Sequence, residues 1–162
     1  MDKIDVKYLL ELSEGKDVTY VANFGCGPNA PREIQFVSGL RANLIPFDIK
    51  HYPGTIAQDM EWISFDDDIF EGVMCINALD HTKDAQKALE ELIRVAEDWV
   101  YINCNLDQKT TSGRGHHWDA KKDGTFTNGT DSFNLTDYGF TLHNITFGGD
   151  RRYDQVIGVL EK

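Results

Sequence analysis

The sequence contains no run of about 18 apolar residues, so nothing in it reads as a membrane-spanning helix. Its first residues, Met1-Asp2-Lys3-Ile4-Asp5, have neither the basic start nor the apolar stretch of a secretory signal, and a soluble cytoplasmic protein is expected. Cysteine is scarce: Cys26, Cys75 and Cys104 are odd in number, scattered, and set in apolar surroundings. That pattern predicts reduced, buried thiols rather than a disulfide frame. No C-x-x-C pair is present, so a structural zinc site has no support and no metal is expected. Basic residues are outnumbered, with 16 Lys and Arg against 27 Asp and Glu, a net charge of −11. They do not cluster, so a phosphate backbone meets no complementary surface, which disfavours a nucleic-acid partner. Repeats, low-complexity tracts and linkers are also absent, and residues 1–162 are expected to form one domain.

Apolar periodicity marks what is there. Val6 to Leu12 has the pattern of a short amphipathic helix ended by Gly15. Val18 to Phe24 is β-rich and nearly continuous, as for a strand covered on both faces. Arg32 to Leu40 reads as a helix, Leu44 to Asp48 as a second strand, Thr55 to Gln58 as a third and Glu71 to Leu79 as a fourth. The strongest helix follows, with Ala88, Leu89, Leu92, Ile93 and Ala96 on one face. Asp84 stands at its N-cap, and Glu90 is placed to pair with Arg94. Trp99 to Cys104 is a fifth strand. A polar excursion from Asp107 to Thr136 precedes two strands, Thr141 to Phe147 and Gln155 to Leu160, joined through Gly148-Gly149-Asp150 as a hairpin. The alternation predicts an α/β, doubly wound, mostly parallel seven-stranded sheet with a C-terminal antiparallel hairpin. The connection from Asp48 to Asp59 is too short for a full helix, which trims the sheet at that edge. Ligands in such sheets bind at the carboxyl ends of the strands, where strand order reverses.

Two features point to a nucleoside ligand. Gly25-Cys26-Gly27-Pro28-Asn29-Ala30 follows the first strand directly, and glycines there let the backbone turn sharply and approach a ligand. Asp48 closes the second strand 23 residues after Gly25, where a carboxylate accepts both hydroxyl hydrogens of a ribose. Gly25-x-Gly27-x-x-Ala30 also satisfies the looser form of the dinucleotide fingerprint. A nicotinamide-dependent dehydrogenase, however, would require a substrate domain for which 162 residues leave no room.

The rest of the chain separates these readings. Gln58-Asp59-Met60-Glu61-Trp62-Ile63-Ser64-Phe65-Asp66-Asp67-Asp68 precedes strand four, Asn77-Ala78-Leu79-Asp80-His81 follows it, and Glu90-Glu91-Leu92-Ile93-Arg94-Val95 closes the strong helix. In this order the segments resemble the small-molecule class I S-adenosylmethionine-dependent methyltransferases of the type 11-like group, over about residues 18 to 104. The resemblance implies that the backbone of Gly25, Cys26 and Gly27 lines the methionine and ribose of S-adenosylmethionine, with Asp48 on the ribose hydroxyls and Ile49 beside the adenine. It further implies that Asp59 accepts from the adenine amino group, that Met60 donates its N–H to the ring, and that Asn77 faces the methionine end.

Asn23 stands where the family usually has an acidic residue and Asn29 where it has a third glycine. An amide at Asn23 can hydrogen-bond the cofactor's ammonium group without charge attraction, which implies modest affinity. A cofactor-binding module without turnover, or a protein or nucleic-acid methyltransferase working through a partner, are the alternatives. Methyl transfer is mainly a matter of alignment, and a base is needed only for a protonated acceptor. The place to expect one is Gly115-His116-His117-Trp118-Asp119. There His116 or His117 would serve as base, and Trp118 would either stack on the acceptor or anchor the loop to the core. His81 reads as a packing residue at the end of strand four. With no long N-terminal helices as a lid, the pocket would be completed by the excursion or by a second copy of the chain in a homodimer.

Overall fold

The computed structural model describes residues 3–29, 42–111, 115–147 and 153–162. The helix expected from Arg32 to Leu40 and the turn at Gly148-Gly149-Asp150 lie outside the described residues, as do Ala30 and the side chain of Asn29.

Helix α1 (Lys3–Leu12) leads into β1 (Tyr20–Phe24), and then come β2 (Asn43–Asp48), β3 (Ile56–Ala57) and β4 (Phe70–Ile76). Helix α2 (Ala85–Val95) runs into β5 (Ala96–Asn105) and the short α3 (Gln108–Thr111). Strands β6 (Asp119–Ala120), β7 (Thr125–Thr127) and β8 (Ser132–Asn134) precede β9 (Thr141–Ile145) and β10 (Gln155–Glu161). The main sheet has seven strands in the order β3-β2-β1-β4-β5-β10-β9. Its first five are parallel, while β10 runs antiparallel to both β5 and β9. This is the expected doubly wound sheet, trimmed at β3, with its antiparallel edge at the chain's end. The order reverses between β1 and β4, so the carboxyl ends of those two strands flank the crevice.

Strand alternation assigns the two faces. Val21, Met74, Trp99, Tyr101 and Ile157 pack with Leu9 and Leu12 of α1. The hydroxyl of Tyr101 and the amide of Asn103 both donate to Asp5 Oδ1, each at 2.6 Å, fixing α1 against the sheet. On the opposite face Ala22, Phe24, Val73, Cys75, Val100 and Ile102 pack under Ala85, Ala88, Leu89 and Leu92 of α2. Asp84 caps α2 by accepting from the Lys87 N–H at 3.0 Å, as expected. The helix stops at Val95, so Ala96 opens β5 instead of completing the helical face. Arg94 does not pair with Glu90. It bonds Glu91 and Asp67 and donates to the carbonyls of Ile63 and Phe65, pinning the acidic turn before β4. Two of its partners are carbonyls in a segment with little regular structure, so Arg94→Ala is expected to cost about 1–2 kcal/mol in chemical denaturation. Glu90 instead accepts from Tyr138 and Gln86.

All three cysteines are buried, as expected. Burial, reinforced by the nearby Asp80 carboxylate, pushes the Cys75 thiol up to about 12, and the same causes hold Cys104 well above an ordinary thiol. The folded state therefore binds these protons more tightly than the unfolded chain. Their contribution to stability is complete below the ordinary thiol value of 9.0 and is lost as pH rises through about 12. Both thiols should stay unmodified by an alkylating agent at about pH 8 in the native chain and react fully in guanidinium. Rapid native-state labelling of Cys75 would contradict this packing.

The polar excursion is built rather than loose. Strands β6, β7 and β8 form a separate three-stranded sheet, whose underside buries Trp118, Ala120, Phe126 and Phe133 against the α2-side core. Among the described residues, no helix is long and apolar enough to cross a membrane.

Candidate active site

A cavity of about 680 Å³ opens at the switch point, lined by Gly25, Gly27, Asp48, Ile49, Asp59, Met60 and Asn77 at one end and His81, Gly115 and His117 at the other. It lies within the size range of small-molecule and cofactor sites. The glycine turn is held to the neighbouring strand by two bonds to one carbonyl: Gly25 and Cys26 N–H both donate to Phe47 O, at 2.8 and 3.2 Å. Gly25 has φ +72, and a Cβ there would stand 2.2 Å from Ala78 Cβ, so the turn and strand β4's exit are in contact through a missing side chain. At Gly27, with φ +59, a Cβ would meet nothing within 4 Å. The cavity wall is bare backbone at that point.

Asp48, 9% exposed at the end of β2, turns its carboxylate back over this wall. Oδ2 accepts from the Gly27 N–H and Oδ1 from the Lys50 N–H, both at 2.8 Å. Two backbone donors fix the group in place and leave each oxygen a further lone pair toward the cavity. Ile49, 68% exposed, and Trp62, 69% exposed, present apolar surface beside it. Asp59 lines the cavity and also turns the chain, its Oδ1 accepting from the Glu61 N–H at 2.9 Å. Asn77 follows β4 directly with φ +50, an uncommon conformation outside glycine. Its N–H donates to Asn103 O at 2.7 Å and its Oδ1 accepts from Asn105 N–H at 3.0 Å, tying the ends of β4 and β5 together. Backbone strain of this kind collects at functional sites.

Not every expected residue reaches the cavity. Asn23 is 1% exposed and lies on the α1-side face of β1, and Cys26 is buried behind the turn; neither is part of the lining. The adjacent histidines diverge. His117 is exposed into the cavity, its N–H donating to Asp80 O at 2.8 Å. His116 turns away, and its Nδ1 lies 2.5 Å from Asp80 Oδ2. Trp118 does not stack on an acceptor: at 3% exposure it packs edge-on against Phe133 and donates Nε1–H to Lys83 O, anchoring the loop. His81 is no packing residue. It is exposed, lines the cavity, stacks on His116 with ring centroids 4.1 Å apart, and its Nδ1 lies 3.0 Å from Gly115 O. Sequence reasoning missed His81 and Asp80; the available signal was their position just past the strand at the switch point.

A carboxylate at the end of β2, a bare glycine wall after β1 and a strained residue after β4 border one cavity at the switch point, where doubly wound sheets bind ligands. Residues 23–99, the stretch that carries the glycine turn, Asp48, Asp59 and Asn77, match the family described as methyltransferase domain. The fold is shared with solved structures of low identity. One is an S-adenosylmethionine-dependent methyltransferase from Aquifex aeolicus, at 15% identity and TM-score 0.59 over 96% of this chain and 89% of that one. Another is a protein of Bacillus halodurans described as a methyltransferase, at 14% identity and TM-score 0.61 over 98% and 97%. A third is the magnesium protoporphyrin IX methyltransferase of Synechocystis, solved with bound S-adenosylhomocysteine, at 15% identity and TM-score 0.61 over 98% and 80%. No curated protein matches the sequence.

Proposed function

We propose that this chain methylates a small molecule that enters the His81–His117 end of the cavity. The observation that carries the reading is the joint lining of one cavity by the nucleoside-type residues and the histidine loop. When bound, the cofactor supplies a methyl group on a sulfonium, already a good leaving group, so the protein's work is placement. Asp48 accepts from the two ribose hydroxyls, and the backbone of Gly25 and Gly27 borders the ribose and methionine. Ile49 covers the adenine, Asp59 accepts from its amino group and Met60 donates its N–H to the ring. Asn77, at the carboxyl end of β4, holds the methionine end. His117 faces the acceptor and takes its proton where the nucleophile is a hydroxyl. His116, bonded to Asp80, positions that loop.

The test is calorimetric titration of the purified chain with S-adenosylmethionine and S-adenosylhomocysteine, with NAD as control. Micromolar binding of the first two and none of the third is expected. Binding of NAD instead would overturn the assignment of this cavity. Tight cofactor binding with no turnover across a broad acceptor panel would leave a binding module in place of an enzyme.

A further inference from the structure

We infer that Asp80, His81 and His116 form a site for a divalent transition-metal ion at the acceptor end of the cavity. The three residues come from two segments far apart in sequence: the 3-10 turn Leu79–His81 after β4, and the loop after α3. One ligand atom from each can be chosen so that all lie within 4.8 Å of one another. The adjacent histidines His116 and His117 point apart, so they do not form a ligand pair. The structure substitutes His81 for His117 as the second imidazole.

The hydrogen bonding around the cluster prepares both imidazoles as ligands. Each has its Nδ1 against an oxygen, His81 on Gly115 O at 3.0 Å and His116 on Asp80 Oδ2 at 2.5 Å. With its proton held on Nδ1 by Gly115 O, His81 keeps an Nε2 lone pair, the orientation a carbonyl imposes on metal-binding histidines; at His116 the ion would take the place of the proton between Nδ1 and the Asp80 carboxylate. The rings are 4.1 Å apart and tilted by 33°.

Asp80 supplies the independent observation. It is 2% exposed, and its Oδ1 is buried with no hydrogen-bond partner among the described residues. Its ion-pair partner there is His116, a weak and conditional cation. Leaving a buried carboxylate oxygen unpaired is costly, and the loop-pinning hydrogen bond to His116 accounts for only the other oxygen. A cation beside Oδ1 satisfies it. Two imidazoles and one carboxylate suit Zn²⁺, Co²⁺, Mn²⁺ or Fe²⁺ better than Mg²⁺ or Ca²⁺. Three protein ligands also leave coordination positions open, and one of the three, His81, lies on the cavity wall. Resting on the methyl-transfer reading, the ion's use is to hold an oxygen-bearing acceptor, whose hydroxyl proton passes to His117 before the oxygen attacks the methyl carbon and the carbon–sulfur electron pair returns to sulfur.

The deciding experiment titrates the metal-stripped chain with Co²⁺, following visible absorption and heat, and repeats the titration with S-adenosylhomocysteine. One equivalent of Co²⁺ binding at micromolar affinity is expected, weakened about 30-fold or more in Asp80→Asn, His116→Gln and His81→Ala, and unchanged in His51→Ala. His81 is exposed, so its removal leaves folding intact even if Asp80→Asn destabilises the chain. Absence of Co²⁺ and Zn²⁺ binding below millimolar in the wild type overturns the site, and so does binding that His81→Ala does not move. Loss of S-adenosylhomocysteine binding with Co²⁺ binding retained would instead count against the cofactor assignment and leave the metal site standing.

Discussion

Asp48→Ala is expected to weaken S-adenosylhomocysteine binding by about a hundredfold or more, roughly 2.7 kcal/mol. Two contributions add. In the proposed cofactor pose the variant loses two hydrogen bonds from ribose hydroxyls to a charged acceptor, each in the class worth about 1.5–3 kcal/mol. It also removes the acceptor that orients the Gly27 and Lys50 N–H groups, both 2.8 Å from the carboxylate, so the bare wall at Gly27 is no longer fixed. Asp48→Asn separates these contributions. An amide oxygen can still take one backbone N–H, but the amide NH₂ faces the other donor, so an intermediate loss of about tenfold is expected. The melting temperature of each ligand-free variant, measured in parallel, keeps a folding defect from passing as a binding defect. An Asp48→Ala affinity within about threefold of wild type would show that the ribose does not sit on this carboxylate.

Gly25→Ala is expected to be the most damaging single methyl in the site, costing about 3–5 kcal/mol in chemical denaturation and abolishing measurable cofactor binding. The new Cβ would lie 2.2 Å from Ala78 Cβ and 3.1 Å from Met60 Cε. Met60 can yield, since its flexible tip is what approaches; Ala78, at the exit of β4, has no rotamer to change. The φ of +72 adds a left-handed penalty of about 1–2 kcal/mol for any residue with a Cβ. The double variant Gly25→Ala with Ala78→Gly removes the collision and retains the torsional penalty. It should therefore recover all but about 1–2 kcal/mol. A single variant costing less than about 1 kcal/mol would mean that the turn and β4 are not in the contact described.

The sheet was legible because its signals are local. Continuous apolar runs at β1, β4 and β5, the α2 stripe with Asp84 at its cap, and the glycines after β1 each act within a few residues of themselves. Boundaries were less legible where one apolar residue serves either neighbour. Ala96 completes a helical face in the sequence but pairs with Phe70 in the sheet. Arg94 likewise has Glu90 one turn away, yet bonds Glu91, Asp67 and two carbonyls that the fold brings to it.

The sequence by itself determined the doubly wound order of elements, the glycine turn and the Asp48 position, because these depend on periodicity and on spacing along one βαβ unit. Only the tertiary structure decided what the histidines and Trp118 do. Asp80 and His116 are 36 residues apart, and their meeting depends on how the excursion folds back over the switch point. That in turn depends on Trp118, Phe126 and Phe133 burying against α2-side neighbours that no local pattern names. The divergence of His116 from His117, and the arrival of His81 beside His116, are consequences of that packing.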